Sequence, residues 1–432
     1  DPNISRKKTR AREALALATK YYQACLIRNK NVCEYVFYKR NLNLAIPVVK
    51  GRKTDKEKFA GAEATYPMGG FMELFSKIRK SGMPFTIHAG ECGSVNNILE
   101  ADLCVGIKNR KLELGKEFLV LGASPSCNLI LKNEKAKVIS TKAELEKLKL
   151  NKLKDKVLIF NLGELENYDA IRFLRTLKEE SNTPKLAIIQ GQDKLQYYTG
   201  RNGMSFPVVQ LRDKIFSKKI NRLKLSIKSE FHENYASQNV WARVEGTKYK
   251  DSCFAFVCHY DHLGKIGSVH FPGANDNASA VAVLLDLAKY YAKNPAEHSV
   301  VFMFVTGEEI GLVGSTFAAE NPLVDLSKMK FLFNLDMVGT GSTGVAVING
   351  KKEPEAGKLL QTINEENHWF SKVVLGEESC NSDHCPFVQK GVPAHFLFTY
   401  GCEYNEYHTV YDDGVELSFT KHIDFCNLLK EF

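Results

Sequence analysis

The sequence predicts an α/β protein. Its C-terminal half reads as a mostly parallel sheet with helices on both faces, preceded by a smaller α+β module and an N-terminal α/β segment. Three observations predict this. After residue 226, short runs that are apolar throughout alternate with amphipathic helical patterns, as expected of strands buried on both faces between crossover helices. Between 111 and 225, short β-rich pieces are separated by lysine-rich and turn-like stretches. The length, 432 residues with 44% hydrophobic and 25% charged, suits two to four domains at roughly 100–200 residues each.

Taken in order, residues 5–28 are rich in Ala, Leu, Arg and Lys without Gly or Pro, which predicts a helix. Residues 43–49 read as a short buried strand. Phe71, Leu74, Phe75 and Ile78 have helical spacing over 70–80, and GMPFTIHAGE (82–91) reads as a strand running into a polar loop. In the middle module FLVLGAS, DKVLIFNL, KLAIIQG and FPVVQL are expected strands, with a helix in NYDAIRFLRTLKEE. Beyond it NVWARVEG, CFAFVCHYDHLG, HSVVFMFVTGEE, KFLFNLDMVG, VAVING and AHFLFT are expected strands. ASAVAVLLDLAKYYAKN, residues 311–320 and SFTKHIDFCNLLKEF are expected helices. No repeat of solenoid length is visible. The domains so predicted are 1–110, 111–225 and 226–432.

Charge supports the first boundary. Residues 1–110 hold 20 Lys+Arg against 10 Asp+Glu, leaving 39 against 40 for the rest of the 59 and 50 in the chain. The basic residues are dispersed among apolar ones, so a solvated helical surface is expected there and no nucleic-acid partner. No run approaches the roughly 18 apolar residues of a membrane span. Eleven cysteines without a CxxC pair exclude a compact disulfide scaffold, and an odd count leaves at least one thiol free or intermolecular. The chain begins Asp1-Pro2 without an apolar signal core; a secreted, periplasmic or cell-envelope location is expected over a cytoplasmic one.

In open α/β sheets ligands gather at the carboxyl ends of the strands. Here such ends carry His259, Asp261 and His262, then Glu308 and Glu309, then Asp336; Asp276 stands before a helix, and His408 follows the strand AHFLFTYG. Left unpaired, so many ionisable groups at one sheet end would repel, and a divalent metal cluster removes that difficulty. Imidazole and carboxylate donors without thiolate suit zinc or a related ion in a hydrolytic site. Two metals are served if one carboxylate bridges them. Of two adjacent carboxylates, one can bind metal while its neighbour accepts a proton. By contrast His262, His384 and His395 read as structural histidines, and Cys380 and Cys385 are close enough for a disulfide or can remain free thiols.

HYDHLG, GANDNASA, TGEEIGLVGS, FNLDMVG, SDHCPF and YHTVYDD, in this order over about 200 residues, resemble the successive motifs of the M28 family of zinc aminopeptidases. The resemblance implies a two-zinc exopeptidase on a phosphorylase/hydrolase-like fold, acting on peptides with a free N-terminus. Carried over, His259 and His408 each bind one zinc, Asp276 bridges, and Glu309 and Asp336 complete the ligand set. Glu308 is implied as general base, Asp261 as the group orienting the His259 imidazole, and Tyr407 as a donor to the oxyanion. The metals implied are two Zn2+, with other divalent ions open, and SDHCPF is expected to shape the pocket wall. Residues 111–225 resemble a protease-associated domain, either covering the cleft or acting as a spacer. A glutaminyl-cyclase-like single-zinc transferase and an inactive peptidase-like binding module are the alternatives; oligomeric state is not read from the sequence.

FAGAEATYPMGG and MPFTIHAGECGSVNNILEA resemble a different family, the adenosine deaminases, with His88 and Glu91 at the positions of a zinc ligand and a catalytic glutamate. The HxH pair, the later His-Gly and the paired aspartates of that family are absent. A third of a barrel cannot close, and one ligand cannot hold a catalytic metal.

Overall fold

The computed structural model describes residues 85–177, 182–200 and 203–432; the helices expected at 5–28 and 70–80 and the strand at 43–49 lie outside the described residues. In chain order the strands are β1 (Phe85–Val105), β2 (Arg110–Lys111), β3 (Phe118–Val120), β4 (Cys127–Ile139), β5 (Val157–Asn161), β6 (Leu186–Gln190), β7 (Val208–Leu211), β8 (Lys219–Val244), β9 (Tyr249–His259), β10 (Lys265–Ile266), β11 (Val269–His270), β12 (His298–Val305), β13 (Met329–Leu335), β14 (Gly344–Ile348), β15 (Val373–Leu375) and β16 (Ala394–Tyr400). The helices are α1 (Lys142–Glu146), α2 (Asn167–Leu174), α3 (Ser279–Lys293), α4 (Val313–Glu320), α5 (Pro354–Asn367), α6 (Cys385–Gln389) and α7 (His422–Glu431). Among the described residues no helix is long and apolar enough to cross a membrane.

β8 organises the sheet. Along one edge it pairs antiparallel with β1 from Leu223 to Ala242. Its other edge takes β4 at residues 219–227 and β12 at residues 240–244. Two subsheets therefore hang from opposite ends of one strand edge, in the order β15-β14-β16-β13-β9-β12-β8-β4-β5-β6-β7-β3. β8 runs unbroken through the 225/226 boundary expected from the sequence.

The polar loop expected after HAGE is instead a strand. His88 and Glu91 lie on β1, in register with Asn239 and Ser237 of β8. Farther along, Ile98, Leu103 and Val105 are buried while Asp102 is exposed, the alternation that fixes a strand with one apolar face.

In the first subsheet β4, β5, β6 and β7 run parallel, with β3 antiparallel at the rim. Leu158, Phe160, Ala187 and Ile189 pack under α2. Val157, Ile159, Leu186 and Ile188 face the opposite way, towards Leu223, Leu225 and Phe271. In the second subsheet β16, β13, β9 and β12 are parallel. Phe256, Phe302 and Phe333 pack beneath α3, α5 and α7, and Ala255, Val301 and Met303 pack against α4 and α6. Helices thus cover both faces of the sheet that carries the ionisable residues.

Candidate metal centre

β13, β9 and β12 are neighbours and parallel, so their carboxyl ends meet. β9 ends at His259, in register with Val305 of β12, and β13 ends at Leu335, directly before Asp336. Glu308 and Glu309 follow β12, Asp276 lies in the Ala274–Ala278 segment leading into α3, and His408 comes from the loop after β16. Gly273 makes the approach to Asp276 feasible. Its φ is +68°, and a Cβ there would stand 2.5 Å from the Asp276 carbonyl oxygen and 2.6 Å from the His262 ring.

Three short polar side chains of GANDNAS tie this segment to the loop bearing Asp336. Asn275 Oδ1 accepts from Gly339 N at 2.9 Å, Asn277 Oδ1 from Met337 N at 3.2 Å, and Ser279 Oγ from Val338 N at 3.0 Å. Asn277 Nδ2 donates to the Leu335 carbonyl at 3.1 Å. The Asp412 carboxylate accepts from the backbone N–H of Asn275 at 2.8 Å and of Asp276 at 3.1 Å, and from Tyr404 OH at 2.8 Å. Asn275, Asn277, Ser279 and Asp412 stand within the GANDNASA and YHTVYDD motifs, without an individual role expected from the sequence.

The buried donor atoms fall into two groups that share Asp276. His259 Nε2 lies 3.3 Å from Asp276 Oδ1 and 3.4 Å from Asp336 Oδ1. His408 Nε2 lies 3.3 Å from Asp276 Oδ2 and 3.2 Å from Glu309 Oε2. Nitrogen and oxygen ligands about 2.0–2.1 Å from a tetrahedral zinc stand about 3.3 Å from one another. The separations, and the sharing of one carboxylate, fit two such ions. His259, Asp276, Asp336, Glu309 and His408, the five expected ligands, are all brought together.

His262, expected to be a structural histidine, touches the ligand set directly. Its Nδ1 is 2.7 Å from Glu309 Oε1, a hydrogen bond, and 3.9 Å from Asp276 Oδ2. One Glu309 oxygen is thus held by His262 while the other faces His408. The HxxH spacing from His259 was the available signal.

Asp261 is arranged differently from expectation. The His259 Nδ1–H points at the Asp261 backbone carbonyl, 3.0 Å away, while the carboxylate oxygen is at 3.7 Å. The carboxylate accepts the backbone N–H groups of Glu308 and Glu309, each at 3.3 Å. It therefore sets the two glutamates, and its carbonyl sets the imidazole.

Charges follow this geometry. Burial opposes ionisation of Glu309, yet His408 and His262 hold its carboxyl down at about 2. Burial likewise opposes Asp276, which His259 and His408 keep well below the carboxylate range. Glu308 is left out of these ion pairs. Burial, reinforced by Glu309, Asp383 and Asp336 against the pull of His259, pushes it well above its usual range.

The middle module reaches this site. Lys194 pairs with Glu406 and donates to the Asn405 carbonyl at 3.0 Å, Tyr197 N–H donates to the His408 carbonyl at 2.9 Å, and Thr199 Oγ1 donates to the Glu309 carbonyl at 2.5 Å. His408 itself has φ +57°. The Tyr198 ring stands edge-on to its imidazole, centroids 5.3 Å apart, and the Tyr407 ring stacks on it at 3.8 Å. Tyr407 is 42% exposed, and the burial of the remainder, then Asp276, Glu309 and Glu308, pushes its phenol above the usual range. Cys380 and Cys385 are joined in a disulfide. His384 and His395 are buried and contact the carbonyls of Ser379 and Glu353, at 2.7 and 3.2 Å.

Comparison with known proteins decides the family. Residues 239–427 match the model of peptidase family M28. This part of the chain is an M28 peptidase domain. The chain is similar to aminopeptidase YwaD of Bacillus subtilis (strain 168), 25% identical over 264 residues that span 57% of this chain and 54% of that protein. It is also similar to a probable zinc metalloprotease of Pyricularia oryzae, 36% identical over 127 residues, 28% of this chain and 24% of that protein. The chain thus spans about half the length of the Bacillus relative and less of the fungal one. A solved structure of BSAP, a zinc aminopeptidase from Bacillus subtilis, superposes with a TM-score of 0.64 at 18% identity over 98% of this chain and 94% of that one; at that identity the likeness speaks to the M28 fold alone. Neither the protease-associated resemblance nor the deaminase resemblance is addressed by these matches.

Proposed function

We propose that the chain is a zinc-dependent aminopeptidase using two metal ions. The observation carrying this is the pair of donor groups sharing Asp276 at ligand-edge separations, with Glu308 adjoining and unpaired. His259 and Asp336 would hold one ion, His408 and Glu309 the other, and Asp276 both. Ions bound there would polarise the scissile carbonyl, lower the pKa of the attacking water and draw in the substrate's amino terminus. Glu308, raised in basicity and not engaged by an imidazole, takes the proton from that water as it attacks and returns it to the leaving amine. The Tyr407 hydroxyl donates to the oxygen that becomes negative. The stretch from Lys194 to Thr199 is fastened to the His408 loop and to Glu309, which brings the middle module beside the metal ligands and supports a role for it in restricting substrates to short peptides.

The test is hydrolysis of aminoacyl anilides and short peptides before and after chelation, with zinc restored. Chelator-sensitive release from free N-termini, absent with blocked ones, is expected. Metal-replete protein that cleaves none of them overturns the proposal.

A further inference from the structure

A second cluster of metal-binding side chains lies outside the centre described above, between α3 and α7. His422 and Cys426 are four residues apart on α7 and so share one helix face. Asp286 presents its carboxylate to them from α3. Its Oδ2 is 2.8 Å from His422 Nε2, and Cys426 Sγ is 3.9 Å from the same nitrogen. One donor atom from each of the three lies within 4.8 Å of the others. His422 and Cys426 are buried, while the Asp286 side chain is 48% exposed and opens the cluster to solvent.

We propose that Asp286, His422 and Cys426 bind a divalent ion of the zinc class, with water completing a four-coordinate shell. The geometry suits this. Zinc bonds of about 2.0–2.1 Å to nitrogen and oxygen and about 2.3 Å to sulfur place tetrahedral donors about 3.3–3.6 Å apart. The 2.8 and 3.9 Å separations bracket that range and the third pair lies within 4.8 Å, so side-chain shifts of about an ångström or less bring the three donors to it. A thiolate and a carboxylate supply two negative charges for a dication. The sulfur selects zinc over magnesium or calcium, which prefer oxygen alone. Lys289 and Lys430 lie near the Asp286 carboxylate and compete with the ion for it. The ion would clip the helix whose Phe425, Leu428 and Leu429 fill the core beneath α3, so that its binding stabilises the fold.

The chain, stripped with chelator, is titrated with Co2+ and followed in the near ultraviolet. Thiolate bound to Co2+ gives a charge-transfer band there that imidazole and carboxylate ligands do not, so the centre around Asp276 contributes nothing to it. The expected result is this band in the parent, its loss in Cys426→Ser with one equivalent less cobalt bound, and a higher unfolding temperature with metal in the parent than in the variant. Asp286→Asn alters a half-exposed side chain and leaves the core intact. It is expected to weaken cobalt binding on the order of 10-fold or more, the scale on which even indirect partners of a metal act. A parent without the band, a band undiminished in Cys426→Ser, or unchanged cobalt affinity in Asp286→Asn overturns the proposal. Peptide hydrolysis is not part of the readout, so the result stands whether or not the aminopeptidase proposal does.

Discussion

Replacing Asn277 by alanine tests how the two halves of the metal centre are held in register. Asn277 is fully buried and bridges the segment of Asp276 to the loop of Asp336 through an acceptor contact at 3.2 Å and a donor contact at 3.1 Å. The variant loses one buried and one partly buried neutral hydrogen bond, each about 1 kcal/mol net, and leaves the Met337 N–H without its acceptor, a further 1–3 kcal/mol or so. A loss of about 3–5 kcal/mol follows. Because Asp276 and Asp336 both face His259 Nε2, at 3.3 and 3.4 Å, their relative displacement is expected to lower metal affinity by about 10–100-fold, as removal of a partner behind a ligand does. The assay is urea unfolding of the metal-free protein, with zinc affinity measured alongside by competition with a chromogenic chelator. A variant within 0.5 kcal/mol or so of its parent, with unchanged zinc affinity, would refute the claim that this amide sets the spacing.

Glu308→Gln is expected to keep its metal content and lose about 10²–10⁴ in turnover; a near-native rate sinks the general-base assignment. Asp276→Ala is expected to lose occupancy at both ions, and metal analysis finding two full sites contradicts a bridging role. Burial pushes the His395 imidazole down to about 4, below the ordinary value of about 6.5. The unfolded chain therefore takes up this proton first as pH falls, so stability is kept above about pH 6.5 and lost between there and pH 4, by at most about 3 kcal/mol. His395→Asn should flatten that part of the urea-midpoint profile relative to the parent, and parallel profiles would show that His395 does not contribute.

The strand ends of the catalytic half were legible because their chemistry is marked. Runs such as CFAFVCH and KFLFNLD are apolar until they reach a histidine or aspartate, and the observed strands end at those points. The N-terminal half of β8 was not recognised, although Leu223, Leu225 and Ile227 alternate with Lys224, Ser226 and Lys228. Its lysines and serines read as a turn-like stretch, because one face of the strand is solvated there. The helix α5 went unseen for a related reason: its buried face is little more than Gly357, Leu360 and Ile363, set among glutamates and amides. Within the site, Asn275, Asn277 and Asp412 are visible as motif residues, but their individual roles are not legible because they satisfy backbone groups of distant loops. Only the folded chain brings those loops together.

The β1–β8 ribbon has a consequence for the active centre as well as for the sheet. Residues 228–239 of β8 separate the stretch bound to β4 from the stretch bound to β12, and that interval acts as a ruler. A strand advances about 3.3 Å per residue with side chains alternating between faces. Two residues added there would preserve every face yet displace the first subsheet by about 7 Å relative to the second, whereas one added residue would reverse the facing of one subsheet relative to the other. The seating of the Lys194–Thr199 stretch on the His408 loop is therefore set by strand length, at a distance from the contact itself, and can shift in steps of two residues without touching His259, Asp276, Glu309, Asp336 or His408.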